Sequence, residues 1–186
     1  MIKELETSRL ILRHFKLTDV DKMAKINTCH DVMKYFPAVY TYDQTLAFIE
    51  GVIEKYKRND LAVYACICKN SGQLIGSVGV TYHDFQSFFT PCYEIGWRLD
   101  SSYWNKGYAT EAAKEILKYI FIELMINEVV SYAPVTNTPS IRVMQKIGLQ
   151  FRGEYFRHTL WDLKSPLSKH VLYRLSRNHY LKGYIL

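Results

Sequence analysis

Glu94 is the first residue whose type and place suggest chemistry. It lies in Tyr93-Glu94-Ile95-Gly96-Trp97-Arg98-Leu99, an aromatic and aliphatic run that reads as a strand. A carboxylate in such a run is costly unless it is solvated or paired. Two readings stay open: a surface or salt-bridged Glu, or a general base acting directly or through water. His83, His158 and His170 are further candidate bases, although a lone His is more often packed or exposed than catalytic. Tyr173 reads first as a core residue. No spacing makes a metal site, and no Ser-His-Asp order stands out. Cys66 and Cys68 lie two apart in a strand-like run and share one sheet face. With Cys29 and Cys92 they read as reduced thiols in or near the core, which points to a cytoplasmic chain.

A second chemistry is anion binding. The strand that holds Glu94 is followed by Asp100-Ser101-Ser102-Tyr103-Trp104-Asn105-Lys106-Gly107-Tyr108, polar and turn-like toward its end. From Ala109 the apolar residues Ala109, Ala112, Ala113, Ile116, Leu117, Ile120, Phe121 and Leu124 fall at helical spacing. A helix N-terminus offers free N–H groups and partial positive charge, and a small residue such as Gly107 lets a phosphate approach the backbone. The residues alone allow either an anion site or a tight strand-to-helix turn. The stretch Asn137-Thr138-Pro139-Ser140-Ile141-Arg142-Val143-Met144 starts another helix. Asn137 is its cap, Pro139 suits its first turn, and Ile141, Met144 and Ile147 pack inward.

The elements that must position these residues follow from periodicity and turn chemistry. Ser8–Phe15 reads as a strand. Thr18 and Asp19 are cap-type residues before a helical face of Val20, Met23, Ala24 and Ile26. His30–Phe36 reads as a short helix, and Thr41 starts a longer one to Arg58. Leu61–Cys68 and Gln73–His83 form a hairpin around Lys69-Asn70-Ser71-Gly72, with Gly76 and Gly79 marking close packing. Asp84–Pro91 is a loop with Phe85, Phe88 and Phe89. Glu128–Ala133 is a strand, Pro139–Ile147 a helix, Leu149–Leu160 a strand and Trp161–Ser168 a loop. Lys169–Ser176 is a last strand with Val171, Tyr173 and Leu175 on one face. The fold class is α+β: one mixed, largely antiparallel sheet with helices on both sides. Residues 1–186 read as a single domain.

Composition narrows the functional classes. Hydrophobic residues make up 48% and aromatics 15%, enough for a packed core. No apolar run is long enough for a transmembrane helix, and Met1–Glu6 lacks a secretory h-region. The net charge of +6 can attract nucleic acid, an acidic surface or a polyanionic cofactor. The basic residues are scattered, which disfavours a nucleic-acid binder.

Trp104-Asn105-Lys106-Gly107-Tyr108-Ala109-Thr110-Glu111-Ala112 resembles the acetyl-coenzyme A loop of the GCN5-related N-acetyltransferases, most of all the branch of ribosomal-protein N-terminal acetyltransferases. Gly107 and Ala109 fit the superfamily pattern. Trp104 stands where Arg or Gln is usual, a familiar variant in that branch. The resemblance runs from Thr7 to about Tyr180 and implies the acetyltransferase fold, in which two central strands, here Tyr93–Leu99 and Glu128–Ala133, splay around the cofactor. It implies that backbone N–H groups from Trp104 to Thr110 hold the pyrophosphate, with the strand edge near Trp97 and Leu99 on the pantetheine arm. Asn137 would bind that arm too. Many superfamily members place an acidic Tyr seven residues after the Asn; here that position is Met144, which donates no proton. The branch commonly has Ser three residues after it, here Ser140, which would hydrogen-bond the departing thiolate. Related enzymes often have Glu at the place of Glu94, here the base for an incoming amine. The implied reaction is acetyl transfer from acetyl-coenzyme A to a primary amine, by direct attack in a ternary complex. The acceptor is a protein N-terminus or a small molecule. The alternative is an acyl-coenzyme A-binding module without turnover. No membrane or nucleic-acid partner is expected, and the chain is a monomer or homodimer.

Overall fold

The computed structural model describes residues 2–183. The chain divides into two compact units, Met1–Thr81 with Gly96–Ile116, and Tyr82–Ile95 with Leu117–Leu186. The two units are interleaved in sequence, and residues 1 and 184–186 lie outside the described part.

In the first unit, β1 (Leu5–Glu6) pairs antiparallel with β2 (Leu10–Arg13), β2 with β3 (Val63–Cys68), and β3 with β4 (Gln73–His83). Helices α1 (Val20–Asn27), α2 (His30–Met33) and α3 (Tyr42–Lys57) supply the apolar partners. Phe15, Met23, Ile26, Met33, Ile49 and Ala65 share one core. The start of α3 follows from its sequence: Thr41 accepts from the Gln44 N–H at 3.2 Å, and the Gln44 side chain accepts from the Thr41 N–H at 2.8 Å. The first strand is shorter than the sequence suggests. Arg13 turns instead to Asp19, with two 2.7 Å hydrogen bonds, and the Lys16 N–H donates to the same carboxylate at 2.8 Å. Asp19 thus closes a turn rather than capping α1 with its side chain. Burial alone would raise its pKa; the bonds from Arg13 and Lys16 outweigh burial and hold it below the usual carboxylate range.

The hairpin expected between β3 and β4 is present, closed by the Gly72 N–H to the Cys68 carbonyl at 2.8 Å. Gly79 pairs with Val63, and a Cβ on it would run into the Val63 Cα and the Ala62 carbonyl. Cys66 and Cys68 are buried, and all four cysteines are free thiols. Burial pushes the Cys66 thiol up to about 12. β5 (Cys92–Leu99) enters this unit at Gly96, and α4 (Tyr108–Lys118) begins here.

In the second unit, β6 (Glu128–Pro134) and β7 (Gln150–Arg157) both pair antiparallel with β8 (Lys169–Ser176), which lies between them. That central place buries His170, Val171, Leu172 and Tyr173 together, so β8 is covered on both faces rather than one. β5 joins β6 in parallel at a single register position, Glu94↔Val130, as a splayed pair requires. α4 continues as a wider π turn over Tyr119–Glu123. α5 (Thr138–Lys146) has the expected Asn137 cap, with the Ser140 N–H donating to Asn137 Oδ1 at 3.3 Å. β7 ends at Arg157, before the expected Leu160, after a register shift between Phe151 and Tyr155. α6 (Arg177–Lys182) was not legible; it is a short polar helix capped by Ser176. No described helix is long and apolar enough to cross a membrane.

Gly79→Ala is expected to lower stability in urea unfolding by about 1–3 kcal/mol, because the added methyl meets backbone. Gly51→Ala is the control. Nothing lies within 4 Å of its Cβ position in α3, and it is expected to be neutral or stabilising by about 0.5–1 kcal/mol.

Candidate active site

The loop before α4 is built by three local devices in the first unit. A 3-10 turn at Ser101–Tyr103 is capped by Asp100, which accepts from the Ser102 N–H at 2.9 Å. The Trp104 N–H donates to the Ser101 carbonyl at 3.1 Å, and its indole N–H donates to the Leu99 carbonyl at 2.8 Å. Trp104 therefore braces the loop, and the backbone groups open to a ligand start after it. Asn105 and Gly107 take positive φ, 58° and 82°. Gly meets that demand without a Cβ penalty, and Asn tolerates it. The first intrahelical bond of α4 runs from the Glu111 N–H to the Gly107 carbonyl at 3.0 Å. The N–H groups of Tyr108, Ala109 and Thr110 precede it and have no helical partner. Lys106 folds back, donating to the Ser102 carbonyl at 2.9 Å and lying 5.5 Å above the Tyr103 ring.

Glu111 fastens this loop to the start of β2. Its Oε1 accepts from the Thr7 hydroxyl at 2.6 Å, the Ser8 hydroxyl at 3.1 Å and the Arg9 N–H at 2.9 Å. Its Oε2 accepts from Arg9 Nε at 2.6 Å. Arg9 Nη1 in turn donates to the Lys106 carbonyl at 3.0 Å, and the guanidinium lies 4.5 Å above the Tyr108 ring. Burial alone would raise the Glu111 pKa; the bonds from Thr7, Arg9 and Ser8 lower it below the ordinary range. Sequence reading passed over this hub, because an acidic residue in a first helical turn is ordinary.

The second unit carries the candidate acid–base groups. Glu94 is not a lone carboxylate, nor is His83 a lone imidazole: His83 Nε2 lies 2.9 Å from Glu94 Oε2. Tyr132 lies near Glu94, and burial with that nearby carboxylate pushes its phenol pKa far up. The other two histidines are packed away. His158 is buried among Phe85, Trp161 and His170, and its pKa is pushed down to about 4, chiefly by burial. His170 is lowered by burial as well, and its Nδ1 lies 2.9 Å from the Ser168 carbonyl. Phe89, Val130 and Leu172 make the core beside them, with Phe85, Tyr132 and Phe156 against it. The Phe-bearing loop is thus partly core. Tyr173 is buried and accepts from Gln145 Nε2 at 3.3 Å, a core residue as expected. Met144 is buried, and Ser140 is half-buried at the first turn of α5. Trp97 is half-buried and Leu99 buried on β5. Among the described residues no hydrogen bond or ion pair joins Glu94 to Ser140. No described cluster of three His, Cys, Asp or Glu could hold a metal.

Comparison with known proteins shows the family. Residues 9–150 match the family model of the acetyltransferase (GNAT) domain. The chain belongs to the GNAT acetyltransferases. This family transfers acetyl groups from acetyl-coenzyme A to amines, and the chain is an N-acetyltransferase of that kind. It is 34% identical to N-acetyltransferase YnaD of Bacillus subtilis strain 168, over 80% of this chain and 84% of the relative. A GNAT-family acetyltransferase structure from Bacillus anthracis superposes with a TM-score of 0.79 at 29% identity, covering 95% of this chain and 99% of that one. RimL, the ribosomal L7/L12 α-N-protein acetyltransferase solved with coenzyme A, has the same fold: TM-score 0.77, 15% identity, 95% and 99% covered. The expected fold is therefore the observed one.

Glu111→Gln is expected to lower stability at pH 7 by about 1–3 kcal/mol, since it takes the charge from several hydrogen bonds. The native pKa of Glu111 is depressed, so its stabilisation is present above the unfolded carboxylate value of 4.5. That stabilisation is lost as pH falls through the lower native value. Urea unfolding at several pH values should show the wild-type advantage shrinking below about pH 4.5.

Proposed function

We propose that this GNAT enzyme acetylates a primary amine, either a protein N-terminal α-amine or a small-molecule amine, by direct attack in a ternary complex. The observation that carries the reading is the loop before α4, where positive-φ Asn105 and Gly107 precede three N–H groups with no helical partner. That geometry fits a pyrophosphate. In this reading the backbone of Asn105, Lys106, Gly107, Tyr108, Ala109 and Thr110 takes the pyrophosphate of acetyl-coenzyme A, with Trp104 bracing the loop. The backbone at Trp97 and Leu99 and the Asn137 side chain take the pantetheine arm. Glu94 removes a proton from the ammonium, the freed nitrogen attacks the thioester carbonyl, and the C–S bond breaks. Ser140 hydrogen-bonds the thiolate as it leaves. Buried Met144 supports this assignment, since a thioether gives no proton.

Three wider statements belong to the same proposal. Residues 1–186 act as one acetyltransferase domain; the family match over 9–150 crosses both compact units, which supports it. The protein works in the cytoplasm, in keeping with its four free thiols. It works as a monomer or homodimer, without a nucleic-acid partner.

The test is thiol release from acetyl-coenzyme A against peptides with free N-terminal Ser, Ala or Met, spermidine, an aminoglycoside and free amino acids. Turnover with one class identifies the acceptor, and none with any would reduce the protein to a coenzyme-binding module. Glu94→Gln is expected to lower kcat by about 100-fold near neutral pH. The deficit should narrow as pH rises and free amine forms unaided. A wild-type pH profile would remove Glu94 from the mechanism. Ser140→Ala should cost about 10-fold in kcat at saturating substrate; unchanged turnover would remove Ser140.

A further inference from the structure

Glu94 has one paired neighbour and one that is merely close. Tyr132 comes from β6 and is half-buried, and burial with the nearby Glu94 carboxylate pushes its phenol pKa far up. His83 comes from the end of β4, and its Nε2 faces Glu94 Oε2 at 2.9 Å. The pair is not sealed: the His83 side chain is 30% exposed and that of Glu94 20%. A carboxylate paired with an imidazole in contact with water has a partner that orients it and a route for a proton.

The surrounding groups leave that route to His83. Cys92, on the same strand as Glu94, is pushed up to about 11, chiefly by burial, and stays a thiol. Arg174 is engaged by Glu128 at 2.9 Å and Glu154 at 2.8 Å. His158 feels His83 electrostatically but is held neutral by burial, and His170 is buried beyond it. Phe85 and Tyr132 set their ring edges against the His83 ring at 6.0 and 6.5 Å, which limits its rotation.

Resting on the reading of Glu94 as the base, we propose that His83 is its positioning residue and proton outlet. It orients the carboxylate, and it passes on to water the proton that Glu94 takes from the substrate ammonium. The balance is as follows. The ammonium N–H bond breaks and its proton goes to Glu94. The nitrogen lone pair forms the C–N bond. As the C–S bond breaks, its electron pair leaves on sulfur, and the thiolate takes the second nitrogen-bound proton. One proton remains on Glu94. Solvent exchange moves the His83 proton from Nε2 to Nδ1; Nε2 then takes the proton from Glu94 and Nδ1 gives one to solvent, which restores the resting Nε2–H form. Net, one ammonium and one thioester become one amide, one thiol and one released proton.

The experiment compares wild type with Glu94→Gln, His83→Ala, His83→Gln and the double variant Glu94→Gln/His83→Ala. Each is assayed with acetyl-coenzyme A and the panel amine of highest turnover, over pH 6 to 9. Expected for His83→Ala is a fall in kcat of about 10-fold, an altered pH profile, an unchanged KM for acetyl-coenzyme A, an unchanged melting temperature, and recovery on adding free imidazole. His83→Gln keeps a hydrogen-bond donor but takes no proton, and should be equally slow with no change in KM. The double variant should be no slower than Glu94→Gln alone, because the two groups act in series. A wild-type rate and profile in His83→Ala, beside an impaired Glu94→Gln, overturns the proposal and leaves the base assignment standing. So does a loss that imidazole fails to restore, or one that tracks a lower melting temperature. A wild-type Glu94→Gln instead overturns the base assignment itself.

Discussion

The Glu111 carboxylate is the interaction on which the loop before α4 depends. Four donors from Thr7, Ser8 and Arg9 converge on it, and Arg9 hands the constraint on to the Lys106 carbonyl. A loop that presents backbone N–H groups must hold its shape before any ligand arrives, because ordering it on binding would cost conformational entropy. A charged acceptor in the first turn of a helix also suits the helix dipole. The same residue thus steadies α4 and fixes the peptide planes just ahead of it. Trp104 completes the brace from the other side through its two N–H donations. The side chain at that position thus supports the loop.

A second constraint governs the acid–base groups. A carboxylate on a half-buried strand needs partners. β4 supplies one as His83, which pairs with Glu94 at 2.9 Å. Nearby, aromatic packing keeps His158 and His170 neutral. Burial thus sorts three histidines of one unit into two structural residues and one that remains in contact with water.

Much of this was legible in the sequence because it is local. The capping of α3 by Thr41, the hairpin at Gly72 and the Asn137 cap each depend on residues within a few positions. The family was legible for the same reason: residues 104–112 are contiguous. What escaped notice joins residues distant in the chain. Glu111 and Thr7 are 104 positions apart, and nothing in either segment marks the partner. Asp19 read as a helix cap because its alternative partner, Arg13, lies in another element. His83 and Glu94 flank one loop, so their meeting could have been read from the return of the chain; the aromatic content of that loop drew attention instead. β8 is paired on both edges, by β6 and β7, and buried on both faces, which its own alternation of residues cannot reveal.

The most direct test of the central claim, that the loop before α4 holds acetyl-coenzyme A, is thermal unfolding with and without saturating acetyl-coenzyme A, with NADH as the anionic control. At about 100 times its dissociation constant the ligand adds about 2.7 kcal/mol. For a chain of this size that is a rise of about 5–10 °C, and the account predicts it for acetyl-coenzyme A alone. No rise in folded protein, or an equal rise with NADH, would contradict it.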